Sequence, residues 1–134
     1  MEHARTAYAL HLHSGIPVVE LLGDWSEETD GYLAETVARL IGSGHLEIVI
    51  NLARAGRLPH PERAWLDNLE RLASVVQGRH GRLGIVGGER LAWAGIGGSA
   101  HSFLRWANTE TEAVCHLKGV PCFRDGEKLS LRLV

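Results

Sequence analysis

Four groups of residues in this chain have the types and spacing to do chemistry. The first is Pro59-His60-Pro61-Glu62-Arg63, an imidazole held between two prolines and followed by a charge of each sign. Three uses are open to His60: phosphoacceptor, proton-sensitive contact, or a side chain laid against a partner. A helix starting at Pro61 would set the positive end of its dipole under the ring and disfavour the imidazolium, with Glu62 offsetting part of that effect. A phosphohistidine needs a donor domain for which these residues give no sign. Contact with a protein partner is the use they favour. Pro59 and Pro61 stiffen the loop and so lower the entropy lost on docking.

The second group is His11-x-His13. Strand periodicity puts both imidazoles on one face, a spacing that suits a metal ion. No third ligand is marked, so the pair reads as the polar face of an edge strand, and neither metal nor cofactor is expected. The third is Gly84-Ile-Val-Gly-Gly88, with Gly81 before it. It lacks the GK[ST] of a phosphate loop and a well-formed G-x-G-x-x-G, so it reads as a strand end and a corner. The fourth is Cys115 and Cys122, too few for a disulfide framework and without neighbours that would activate a thiolate. No nucleophile elbow, HExxH or other short catalytic motif is present, and no catalytic residue is assigned. Of the four tryptophans, Trp65 and Trp106 fall on expected core faces. Trp25 and Trp93 either cap the core or, if exposed, anchor a partner.

These groups need elements to place them. The 134 residues are 45% hydrophobic and 22% charged, enough for one domain with a core, and the net charge of −2 carries no basic block for nucleic acid or an anionic membrane. No apolar run spans a bilayer and MEHARTAY has no signal core, so a cytoplasmic protein is expected. Residues 6–13 alternate as a strand, Ser14-Gly15 is a turn, and 16–23 form a second strand in a hairpin with the first. Leu33, Val37, Leu40 and Ile41 make a helical stripe behind Ser26, Glu27, Glu28 and Asp30, which suit a cap and first turn. Residues 45–53, around Ile48-Val49-Ile50, read as a buried parallel strand. Trp65, Leu69, Leu72 and Val76 mark a helix from Pro61 to Gly78. A strand over 82–87, a short helix over 89–95 and a strand over 102–107 follow. A last helix begins at the capping segment Thr109–Glu112 and ends at Gly119. Asp125-Gly126 and the alternation of Leu129, Leu131 and Leu133 suggest a closing hairpin. The order ββαβαβαβα implies an α/β domain with a mostly parallel sheet, core about 6–118 and extension 119–134.

In that order the segments resemble the STAS domain of bacterial anti-sigma-factor antagonists. PVVELLGDWSEET is similar to the family's second strand and its exit, with Gly23, Trp25 and Thr29 in register. EIVINLARAGRL resembles its third strand, with Asn51 and Leu52 in place. GRHGRLGIVG resembles the fourth, and FLRWANTETEAV the closing strand with its short helix. The resemblance implies a mixed sheet with helices packed mainly on one face, a first strand running antiparallel, and the C-terminal hairpin appended. It also implies a non-catalytic protein-binding role in bacterial regulation.

In switched members of that family a phosphorylatable serine stands nine positions after the Asp or Asn of the third strand. Here that position is His60, and no phosphorylation is expected there. Ser26 and Thr29, the hydroxyls of the neighbouring loop, read as helix caps. The implied partner is an anti-sigma factor of the serine-kinase type, or another STAS-binding protein, meeting Arg57, Leu58, Pro59, His60, Pro61, Glu62, Arg63 and Trp25. A STAS subunit of a lipid-transport ABC assembly, a nucleotide or small-ligand sensor using the Gly84–Gly88 corner, and a homodimer through the C-terminal strand stay open as alternatives.

Overall fold

The computed structural model describes residues 6–59, 63–87 and 105–120. The expected short helix over 89–95 with Trp93, the closing hairpin, Cys122 and His60-Pro61-Glu62 lie outside the described residues. The described elements are β1 (Ala7–His13), β2 (Ile16–Leu22), α1 (Glu27–Gly42), β3 (Glu47–Asn51), α2 (Arg63–Gly78), β4 (Arg82–Val86), β5 (Arg105–Ala107) and, after β5, α3 (Glu110–Lys118).

The strands lie in the order β1-β2-β3-β4-β5. β1 pairs antiparallel with β2 through a tight turn in which Ser14 and Gly15 both take positive φ (55° and 86°), the combination a two-residue hairpin of this hand requires. The ladders β2–β3, β3–β4 and β4–β5 are parallel. Pro17 pairs only with β1. The described ladder to β3 starts at Val18, so the missing N–H of the proline costs no bond there.

The sheet has two faces of different make. On the first, Val19, Leu21, Ile48, Ile50, Leu83 and Ile85 meet α1 and α2, which contribute Leu33, Val37, Trp65, Leu69, Ala73 and Val76. The 3.6-residue periodicity of both helices aims these side chains at the sheet. On the second, Ile16, Val18, Val49 and Val86 are covered by Ala113, Val114 and Leu117 of α3. Two of the three described helices therefore share a face, and α3 stands alone on the other. Gly81 is fixed by close approach, because a Cβ there would run into the carbonyl oxygen of Leu46.

Both expected caps form. Ser26 Oγ accepts from Glu28 N–H, and Thr29 Oγ1 returns the bond by accepting from Ser26 N–H at 2.9 Å. Thr109 Oγ1 accepts from Glu112 N–H at 3.1 Å, while the Glu112 carboxylate takes Asn108 N–H rather than that of the cap itself. Gly119, at φ 71°, ends α3 in the left-handed conformation.

Candidate functional site

All three described helices follow a parallel strand, so the loops into their N-termini gather at the carboxyl ends of β2, β3 and β5, where open α/β sheets place their binding sites. Two of these loops are fastened together. Gly23 and Ala55 form an isolated parallel bridge, Gly56 N–H donates to Gly23 O at 2.7 Å, and Trp25 N–H donates to Arg57 O at 2.9 Å. Arg57 N–H donates to Asp24 Oδ1 at 2.7 Å. A Cβ at Gly56 would collide with the same Asp24 oxygen, so a larger residue there would displace that carboxylate from Arg57 N–H. The result is a braced ledge formed by residues 23–25 and 55–57.

Of the expected contact residues, Arg57 is exposed and Leu58 and Pro59 are half-buried, with Leu58 also packed on the first-face core. Arg63 opens α2 as described. Trp25 is a correction. It is only 7% exposed, its ring lies 6.1 Å from that of Trp65, and its Nε1–H donates to Asp30 Oδ1 at 3.0 Å. Its apolar ring closes the end of the core, so it is not an exposed anchor. Gly84, the first glycine of the sensor alternative, lies buried beneath Ala113 and Leu117.

A second constellation lies on the other face of the sheet. Pairing with β2 turns His11 and His13 toward the face covered by α3, and both imidazoles converge on the first residue of that helix. His11 Nε2 is 3.1 Å and His13 Nδ1 3.0 Å from the same oxygen, Glu110 Oε1. The other oxygen of Glu110 accepts from Asn51 Nδ2 at 2.7 Å, and Asn51 Oδ1 in turn accepts from Ala53 N–H at 2.8 Å. Asn51 thus joins this cluster to the start of the braced ledge. Beside it lies Glu20, only 6% exposed in the middle of β2, with Oε2 accepting from Arg54 Nε at 3.0 Å.

The electrostatics follow from these partners. Partial burial opposes ionisation of Glu110, but the hydrogen bonds from His13, His11 and Asn51 outweigh it and hold the carboxyl below its ordinary range. Glu20, by its hydrogen bond and its charge, holds the proton of Arg54 more firmly than usual. One titratable acid touching two imidazoles, with an amide fixing its far oxygen, can bind a cation or bridge two elements.

Sequence reasoning singled out His11 and His13 but missed Glu20, Asn51, Arg54 and Glu110 as their neighbours. One signal was available. Glu20 interrupts an otherwise apolar buried strand, and a carboxylate in such a place needs a partner. Glu110 carried no such mark, because an acid in a first helical turn already has the dipole to explain it.

No family model matches the chain, and no curated protein matches it in sequence. Solved structures do. An anti-sigma factor antagonist from Mycobacterium paratuberculosis is similar over 85% of this chain and 95% of its own, at a TM-score of 0.67 and 17% identity. The anti-sigma factor antagonist SpoIIAA in its unphosphorylated form is similar over 85% of this chain and all of its own, at a TM-score of 0.62 and 16% identity. The phosphorylated form of the Bacillus cell fate determinant SpoIIAA aligns over 82% of this chain and 98% of its own, at 0.53 and 18%. The chain therefore has the STAS fold that its sequence resembles, a mixed α/β sheet with a first strand running antiparallel.

Proposed function

We propose that this chain is a non-catalytic protein-binding module that engages an anti-sigma factor of the serine-kinase type through residues 57–63, and that the binding is not gated by phosphorylation of this loop. The observation that supports it is the braced ledge. In a fold shared with anti-sigma factor antagonists, the loop after β3 is tied by backbone bonds to the exit of β2 as far as Arg57, the first of the residues proposed to meet the partner. The part of the loop held in this way docks with little further loss of entropy.

The hydroxyls around this edge have other work. Ser26 and Thr29 cap α1, and Thr29 is also fully buried, its Oγ1 3.2 Å from the Tyr8 hydroxyl. Thr109 caps α3. Phosphate added at Ser26 or Thr29 would break a cap instead of decorating a free surface.

The test is direct titration with purified anti-sigma kinases of the source organism, with and without ATP. One of them is expected to bind wild type, and a Pro59→Arg/His60→Glu double variant is expected to bind at least about tenfold more weakly, equivalent to about 1.4 kcal/mol. No phosphate should be transferred. Stoichiometric phosphate on a loop hydroxyl, or equal affinity of the two proteins, overturns the proposal.

A further inference from the structure

We propose that His11, His13, Glu110 and Glu20 form a binding site for one divalent transition-metal ion of the zinc class. The sequence offers the His-x-His pair without a third ligand, and the fold supplies it from a residue about a hundred positions away. Both imidazole nitrogens already stand 3.0–3.1 Å from one carboxylate oxygen. Ligand atoms of His11, Glu20 and Glu110 all lie within 4.8 Å of one another. In a tetrahedral site with bonds near 2.0–2.2 Å, neighbouring ligand atoms are about 3.3 Å apart, so small rotations of these three side chains place an ion among them, and His13, held 3.0 Å from Glu110 but outside that group, turns further to complete the set.

The surroundings are those of a built site. Asn51 orients the Glu110 carboxylate through its second oxygen and is itself pinned by Ala53 N–H, while Arg54 orients Glu20. Such outer partners fix ligand geometry in metal sites. Two carboxylates against one guanidinium leave a net negative charge for a dication to balance. On binding, each neutral imidazole keeps its proton on the ring nitrogen facing away from the ion, Nδ1 of His11 and Nε2 of His13, and hydrogen bonds to Glu110 give way to coordination. Imidazole donors select zinc, nickel, cobalt or copper over magnesium and calcium. At 40% side-chain exposure, His11 leaves the site open to solvent. The ion would tie the edge strand β1 to α3. This inference is independent of the partner reading.

The experiment uses the full chain, stripped with a chelator and titrated with Zn²⁺ by calorimetry and with Co²⁺ by visible absorption. Expected are one ion per chain, the d–d bands of tetrahedral cobalt, and a melting temperature about 10 °C higher at an ion concentration 100 times the dissociation constant. Glu110→Gln, which keeps the side chain's shape, and His13→Ala should each weaken binding about 100-fold or more, and Asn51→Ala about tenfold. His116→Ala, at an exposed position on α3 outside the cluster, should leave it unchanged. Circular dichroism establishes that each variant is folded. Absence of binding, an octahedral cobalt spectrum, or binding that survives both Glu110→Gln and a His11→Ala/His13→Ala double variant overturns the proposal.

Discussion

The two faces of the sheet solve different problems with the same strands. The first is closed by two sixteen-residue helices among the described residues and is mainly apolar, from Val19 and Ile50 to Trp65 and Leu69. The second has, among the described residues, one nine-residue helix, a small apolar patch around Val49 and Leu117, and then a polar half of His11, His13, Glu20, Asn51 and Glu110. Strand alternation makes this division possible, since neighbouring residues of β2 and β3 serve opposite faces. Stability is concentrated on the face with the larger apolar burial, and the groups able to bind gather on the other, where His11 is exposed, His13 and Glu110 are half-buried, and Glu20 and Asn51 are buried in polar contacts. Asn51 shows how close the two uses come: it is the last residue of β3, one position after core Ile50.

The largest effect expected from this division is on the first face. Leu69 is fully buried between α2 and the sheet, so Leu69→Ala should lose about 3 kcal/mol in urea unfolding through lost transfer energy and a cavity. The proposed ion site should be untouched in the folded variant. A cost below about 1 kcal/mol would mean that this face is not the main source of stability.

Next is Asn51→Ala, expected to cost about 2 kcal/mol because it strands the Ala53 N–H and withdraws one donor from Glu110. Asn51→Asp sharpens the comparison. It keeps the bond to Ala53 but sets a second carboxylate beside Glu110 Oε2, where Asn51 Nδ2 now lies 2.7 Å away. Like charges at that distance oppose ionisation, so this variant should be less stable than Asn51→Ala at pH 7 and regain ground as the pH falls toward 4, where one acid takes up a proton. Equal stability at both pH values would show that Asn51 and Glu110 are not in contact in solution.

The first face was far more legible in the sequence than the second, for a physical reason. Leu33, Val37, Trp65, Leu69 and Val76 repeat at helical spacing, and Ile48-Val49-Ile50 declares a buried strand, because apolar burial is a periodic property of nearby residues. Boundaries shifted by one or two positions, as with β3 at Glu47–Asn51 against an expected 45–53, because strand ends are set by pairing partners. The polar cluster depends on contacts between residues 11 and 110 and between 51 and 110, and no local period records such pairs. Trp25 was open to two readings, core cap or exposed anchor, for a related reason: its burial is decided by Trp65, forty residues on.

The smallest effect is a matched pair of cap deletions, one per face. Ser26→Ala removes the acceptor for Glu28 N–H at the start of α1, and Thr109→Ala removes the acceptor for Glu112 N–H at the start of α3. Each should cost about 1 kcal/mol or less in denaturant unfolding. Ser26→Ala retains the bond from the backbone N–H of residue 26 to Thr29 Oγ1, and Thr109→Ala retains that from Asn108 N–H to the Glu112 carboxylate, so both helices should persist. The difference should appear in zinc affinity. Glu110 is the residue next to the Thr109 cap, and loosening that turn spreads the positions of its carboxylate relative to His11 and His13. Thr109→Ala should therefore weaken zinc binding several-fold, while Ser26→Ala, on the opposite face, should leave it unchanged. If both caps altered zinc affinity equally, the sheet would be transmitting strain from one face to the other, and the separation of stability from binding would fail.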